Sequence, residues 1–160
     1  MSLARKILYN KTIDSYLKDL RLISGNIVRR GDLLDLDRTQ KMREKSRDFS
    51  NRETYEFEID FDKKASTGFR SYIEKLHKVN PGRIFVWLPE TFDCGAYSIN
   101  SLLDLNWEFR NHEMKSDIIV LVNENFQEKI LLDIFDNDVG EKRIKLEICG
   151  EKWPSVIYQK

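Results

Sequence analysis

Three short apolar runs constrain this chain more than anything else in it. Asp117-Ile-Ile-Val-Leu-Val122, Lys129-Ile-Leu-Leu-Asp-Ile-Phe135 and Lys142-Arg-Ile-Lys-Leu-Glu-Ile148 are rich in β-branched residues, with Asn, Asp, Glu and Gly between them. Runs of this length and spacing read as an antiparallel meander. The meander closes on Gly150-Glu-Lys-Trp153, and its turns are loaded with acid.

The rest of the pattern supplies helices to cover it. Phe69, Tyr72, Ile73, Leu76 and Val79 recur at spacings of three and four behind Ser66, and Asn80-Pro81-Gly82 stops the run, which predicts a helix over 66–79. Ile13, Tyr16, Leu17, Leu20 and Ile23 predict another over 12–23, with Thr12 as its cap. Tyr55, Phe57 and Ile59 alternate with acids, the mark of a half-buried strand. Ile84 to Leu88 is apolar on both faces and reads as a central strand, and 98–105 as a short helix. Residues 29–54 hold few large apolar groups after Leu36, so a mobile surface segment or a charged helix is expected there. The fold class is therefore α+β: a single domain over 1–160, with a helical, charged part at 1–54 and an α+β core at 55–160. Its sheet is mostly antiparallel or mixed, with helices packed on it.

At 160 residues the chain suits one domain. Its longest apolar runs fall far short of the roughly twenty residues a membrane helix needs, so no span and no membrane partner are expected. Nor is the start apolar enough for a secretory signal, and two cysteines without export favour buried, reduced thiols at Cys94 and Cys149 in a cytoplasm. The formal charge is zero but uneven: residues 1–54 hold thirteen Lys and Arg against eight acids, and residues 55–160 fourteen against nineteen. Such asymmetry can steer a charged partner or merely lace a surface with salt bridges.

No set of residues compels a reaction. Asp136 and Asp138 suggest a calcium loop, but Gly140 stands where a third ligand belongs, and Glu147, the twelfth position, falls within a strand. An acidic hairpin turn accounts for them better, and neither metal nor cofactor is expected. Asp60, Asp62 and Lys64 have the local spacing of a carboxylate-and-lysine nuclease, which a chain with 34% charged residues produces readily by chance. Cys94 has only His112 and His77 as distant candidate bases. Arg29, Arg30, Lys41, Arg43, Lys45 and Arg47 lack interleaved aromatics, so direct nucleic-acid binding is not expected.

Five short pieces carry a family resemblance: Val86-Trp87-Leu88-Pro89, Asp93-Cys94-Gly95, Ser101-Leu-Leu-Asp-Leu105, Leu131-Leu132-Asp133 and Gly150-Glu-Lys-Trp153. In that order, over residues 83–158, they resemble the immunity proteins of bacterial contact-dependent growth inhibition and related polymorphic-toxin systems. The N-terminal half matches nothing comparable. The resemblance implies a cytoplasmic, non-enzymatic protein that binds and blocks a cognate toxin domain. Many such toxins cut nucleic acids through basic active sites, which an inhibitor can occlude with carboxylates. The partner-binding candidates are then Glu124, Glu128, Asp136, Asp138 and Glu141, with Trp107 and Tyr97 as aromatic anchors. The alternatives are a metal-dependent nuclease or phosphate-handling hydrolase built on Asp60, Asp62 and Lys64, and a non-enzymatic regulatory adaptor.

Overall fold

The stripe at three-and-four spacing becomes the buried face of a helix, α3 (Thr67–Val79), in a computed structural model that describes residues 1–160 apart from the side chain of Ser50. Ser66 caps it, its hydroxyl accepting from the Phe69 N–H at 3.2 Å. Phe69, Tyr72, Ile73 and Leu76 are all buried. They share one continuous core with Ile84, Val86, Ile119 and Leu121 of the sheet, the contact the sequence predicts.

The sheet has six strands: β1 (Glu53–Asp60), β2 (Ile84–Trp87), β3 (Tyr97–Ile99), β4 (Ile118–Asn123), β5 (Glu128–Asp136) and β6 (Lys142–Gly150). Their spatial order is β1-β6-β5-β4-β2-β3, antiparallel in all five pairings. Alternation sends Ile59, Ile130, Leu132, Ile144 and Leu146 to one face, where α3 covers them. The same face takes α1 (Leu3–Ser24), which contributes Ile13, Tyr16, Leu17, Leu20 and Ile23. This helix is longer than 12–23. Ser2 caps it, and Thr12 lies inside it with its hydroxyl donating to the Leu8 carbonyl at 2.8 Å.

Residues 29–54 take one of the two forms expected of them, a mobile surface segment or a charged helix. They fold into α2 (Leu36–Lys45) flanked by short 3-10 turns, which is the charged helix. Met42 and Phe49 plug the second sheet face over Trp87, Val122 and Cys149, a separate small core. The cations beside them stack on rings: Arg43 lies 4.8 Å from the Phe92 centroid and Arg52 5.3 Å from that of Phe49. Two large apolar residues and stacked cations thus do what a longer apolar stripe would do. A correction concerns 98–105. Tyr97–Ile99 pairs with β2 as strand β3, and only Leu102–Asp104 turns helically. Pairing with β2 satisfies an edge that a helix there would leave open.

Two substitutions test this core. Ile73→Ala removes a residue only 2% exposed and should cost about 3 kcal/mol in a denaturant melt. Tyr72 is a sharper case, because its buried hydroxyl has no hydrogen-bond partner among the described residues. Tyr72→Phe should therefore leave stability at neutral pH within about 1 kcal/mol of wild type, or raise it. Burial pushes the phenols of Tyr16 and Tyr72 well above the usual tyrosine range. The folded state thus keeps both neutral while the unfolded chain ionises near pH 10, so their stabilisation is present below about pH 10 and is lost above it. Burial holds Lys64 below the usual ammonium range, which adds stability as pH rises but is complete by about pH 10.4. Melts above about pH 11 should fall, and Tyr72→Phe should make the fall shallower.

Candidate partner-binding site

The six acids between Glu124 and Glu141 do not form one surface. Glu124 stands exposed on the β4–β5 turn, while Asp136, Asp138 and Glu141 stand on the β5–β6 hairpin. Strand β5 separates the groups by eight residue steps, about 27 Å at an antiparallel rise of about 3.4 Å.

Glu128 is not on the surface at all. It is fully buried, and its carboxylate accepts from the backbone N–H of Lys152 at 2.6 Å and of Trp153 at 3.0 Å. Asn123 Oδ1 fixes its backbone, accepting from the Glu128 and Gln127 N–H groups. Gly150 sits opposite at φ +148°, where a Cβ would strike the Glu128 carboxylate and the Gln127 carbonyl. Only glycine lets the two strands close over the acid. Glu128 is thus a structural clamp, and its assignment to a partner surface is overturned.

The aromatic anchors move inward as well. Trp107 is 6% exposed and meets Phe69 edge-to-face at a centroid distance of 5.0 Å. Tyr97 is half-buried on β3 against the main core. Trp107 is a core residue, and the side of Tyr97 that packs inward is closed to a partner.

What the fold does bring together is a corner that sequence spacing conceals. The end of β1, the 3-10 turn Phe61–Ala65 and the β5–β6 hairpin meet around a shallow hollow of about 680 Å³ lined by Asp60, Asp62, Lys63, Glu141 and Lys142. Register explains the meeting: Asp60 opposes Arg143, which opposes Phe135, so the acids of residues 58–62 arrive beside the hairpin. Asp60, Asp62 and Glu141 line the hollow with Lys63 and Lys142, and Glu58, Asp136 and Asp138 stand on the flanking strand and hairpin, where Arg143, Lys145 and Lys160 are the neighbouring cations. Arg143 pairs with Asp60 and with Glu58, and Lys142 with Asp136 at 3.0 Å. Asp62, Asp138 and Glu141 form no ion pair among the described residues. The Asn137 side chain builds the hairpin, its Oδ1 accepting from the N–H of Val139 and of Glu141 and its amide donating to the Glu141 carboxylate at 3.2 Å.

The groups considered for catalysis are dispersed. Lys64 does not join Asp60 and Asp62 over the hollow: it is 3% exposed, with its ammonium 3.8 Å from the Phe61 centroid and 4.8 Å from that of Phe109. Cys94 is buried against the Thr12 hydroxyl at 3.4 Å, and burial pushes its thiol up. His112, exposed beside Glu113, is not among its neighbours. Cys149 is likewise a free, buried thiol and donates to the Phe49 carbonyl at 3.2 Å. Among the described residues, no group of three or more His, Cys, Asp or Glu side chains could hold a metal ion, and no helix is long and apolar enough to cross a membrane. No protein-family model, curated protein or solved structure matches the chain.

Because the clamp is buried and charged, Glu128→Ala should cost about 3 kcal/mol in a denaturant melt, and Glu128→Lys should prevent folding. A melt for Glu128→Ala close to wild type would refute the clamp.

Proposed function

We propose that this is an immunity protein, which binds a cognate toxin domain in the cytoplasm and occludes a basic active site without doing chemistry itself. The observation that supports the reading is the acidic corner. Two segments distant in sequence, 58–62 and 136–141, bring six carboxylates to one corner, three of them lining its hollow, and Asp62, Asp138 and Glu141 keep no cation of their own among the described residues. Uncompensated charge of one sign at a concave surface attracts a partner of the opposite sign and orients its approach. The resemblance of residues 83–158 to immunity proteins points the same way. The candidate contacts become Asp62, Asp136, Asp138 and Glu141. Glu124 lies at the far end of the sheet, outside this contact.

The test is charge reversal at the unpaired acids. The triple variant Asp62→Lys, Asp138→Lys, Glu141→Lys touches only exposed residues and should melt within about 1 kcal/mol of wild type. Its association with a toxin domain encoded beside it should slow by about tenfold or more at low salt, and co-expression should no longer protect cells. The wild-type rate should fall as salt rises. Unchanged protection together with an unchanged low-salt rate would refute the proposal.

A further inference from the structure

The first three turns of α1 carry an apolar stripe that the fold leaves uncovered. Leu3 is 75% exposed, Ile7 59% and Leu8 42%, the densest group of exposed large apolar side chains in the chain. At about 100° per residue, Leu3 and Ile7 fall on a different side of the helix from Ile13, Tyr16, Leu17 and Leu20, which face the core. Stripes on two sides of one helix hide each other from a periodicity search, so the sequence pattern marks only the second. Lys6 and Lys11 flank the outer stripe, Arg5 points to the other side and donates to the Phe92 carbonyl, and residues 1–11 contain no acid. Arg30 lies beside the same turns, 5.7 Å from the Tyr9 ring, with its charge paired to Asp14 at 3.7 Å.

Exposed leucine and isoleucine ringed by cations with long aliphatic stems form the chemistry of a helix that lies in a lipid headgroup layer. We propose that the N-terminal half of α1 docks this protein on an anionic bilayer surface, with Leu3, Ile7 and Leu8 entering the interface and Lys6 and Lys11 meeting lipid phosphates. The proposal concerns peripheral contact and is compatible with the lack of a membrane-crossing helix, although it reverses the sequence-based expectation of no membrane partner. A second copy is the poorer occupant. Pairing Leu3 and Ile7 with their counterparts would bury little more than one turn of helix while bringing the flanking Lys6 and Lys11 of both copies together. The toxin proposed for the acidic corner is also poorer, because a basic partner repels a basic arm.

The test is co-flotation with vesicles of equal parts phosphatidylglycerol and phosphatidylcholine, set against vesicles of phosphatidylcholine alone. The wild-type protein should float with the anionic vesicles and not with the neutral ones, and high salt should release it. Leu3→Asp with Ile7→Asp, and separately Lys6→Glu with Lys11→Glu, should each reduce binding by about tenfold or more. All four residues are exposed, so circular dichroism and the melt should not change. The proposal is overturned if the wild-type protein stays unbound at low salt, or if the Leu3–Ile7 variant floats as well as wild type. It is also overturned by a concentration-dependent dimer that this variant abolishes, or by a toxin complex that it abolishes in the absence of vesicle binding.

Discussion

One buried carboxylate ties together both ends of the chain's best-defined layer. Glu128 starts β5, and its two oxygens receive the Lys152 and Trp153 N–H groups just beyond β6. A bare carboxylate inside a core would be strongly disfavoured, but here charge-assisted bonds to backbone donors replace its lost water. The grip seats Trp153, which is fully buried and donates through Nε1 to the Leu76 carbonyl at 2.9 Å. That carbonyl lies in the last turn of α3 and also accepts from the Asn80 N–H at 3.1 Å, so Trp153 takes its second lone pair. Sheet and covering helix are joined through one side chain, and Gly150 is the vacancy that lets the acid in.

The uncovered part of the sheet is organised by a different rule. Cross-strand register sets Glu56 against Glu147, Glu58 against Lys145 and Asp60 against Arg143. Glu56 reaches Lys145 diagonally at 3.3 Å, and Arg143 spans Glu58 and Asp60. Exposed pairs of this sort add little stability. Their value lies at the edge, where β1 would otherwise present eight residues of open backbone to any other strand. The edge acids are thereby held by Arg143 and Lys145, which leaves Asp62, Asp138 and Glu141 as the acids of this corner without an ion pair among the described residues.

Much of this was legible from local pattern, and the rest was lost for identifiable reasons. The α3 stripe, its Ser66 cap and strands β1, β2, β4, β5 and β6 are periodic over enough residues to be read directly. Strand β3 is three residues long and exists because β2 has an edge to pair, a fact about the sheet and not about Tyr97–Ile99. Residues 36–51 fold on two buried plugs, Met42 and Phe49, whose partners lie in four different elements. The site suffered most from reading charge along the chain. Glu128 and Glu141 look alike in sequence, yet one is sealed under Trp153 and the other stands free. What could have separated them is the pairing of an acid at the start of one strand with Gly150 at the end of the next, since a glycine in a strand marks a close approach. Asp60 and Asp62 join the hairpin acids only through β1–β6 register, which no window of sequence contains.

The uneven charge of the chain becomes an arrangement in space. The basic first turns of α1 sit over α4 (Thr91–Cys94), with Arg5 donating to the Phe92 carbonyl and Thr12 touching Cys94. That helix follows β2, whereas the acidic corner runs from the β5–β6 hairpin to β1, two to four strand spacings away, about 10–19 Å at about 4.8 Å each. Separation on this scale exceeds the Debye length of about 8 Å at physiological salt, so the two regions neither neutralise each other nor compete for the same counter-charge. An anionic surface that holds the arm would repel the corner and turn it towards the solvent. On the two proposals together, the geometry that keeps the charges apart would leave the acidic hollow open to a basic partner while the arm is engaged.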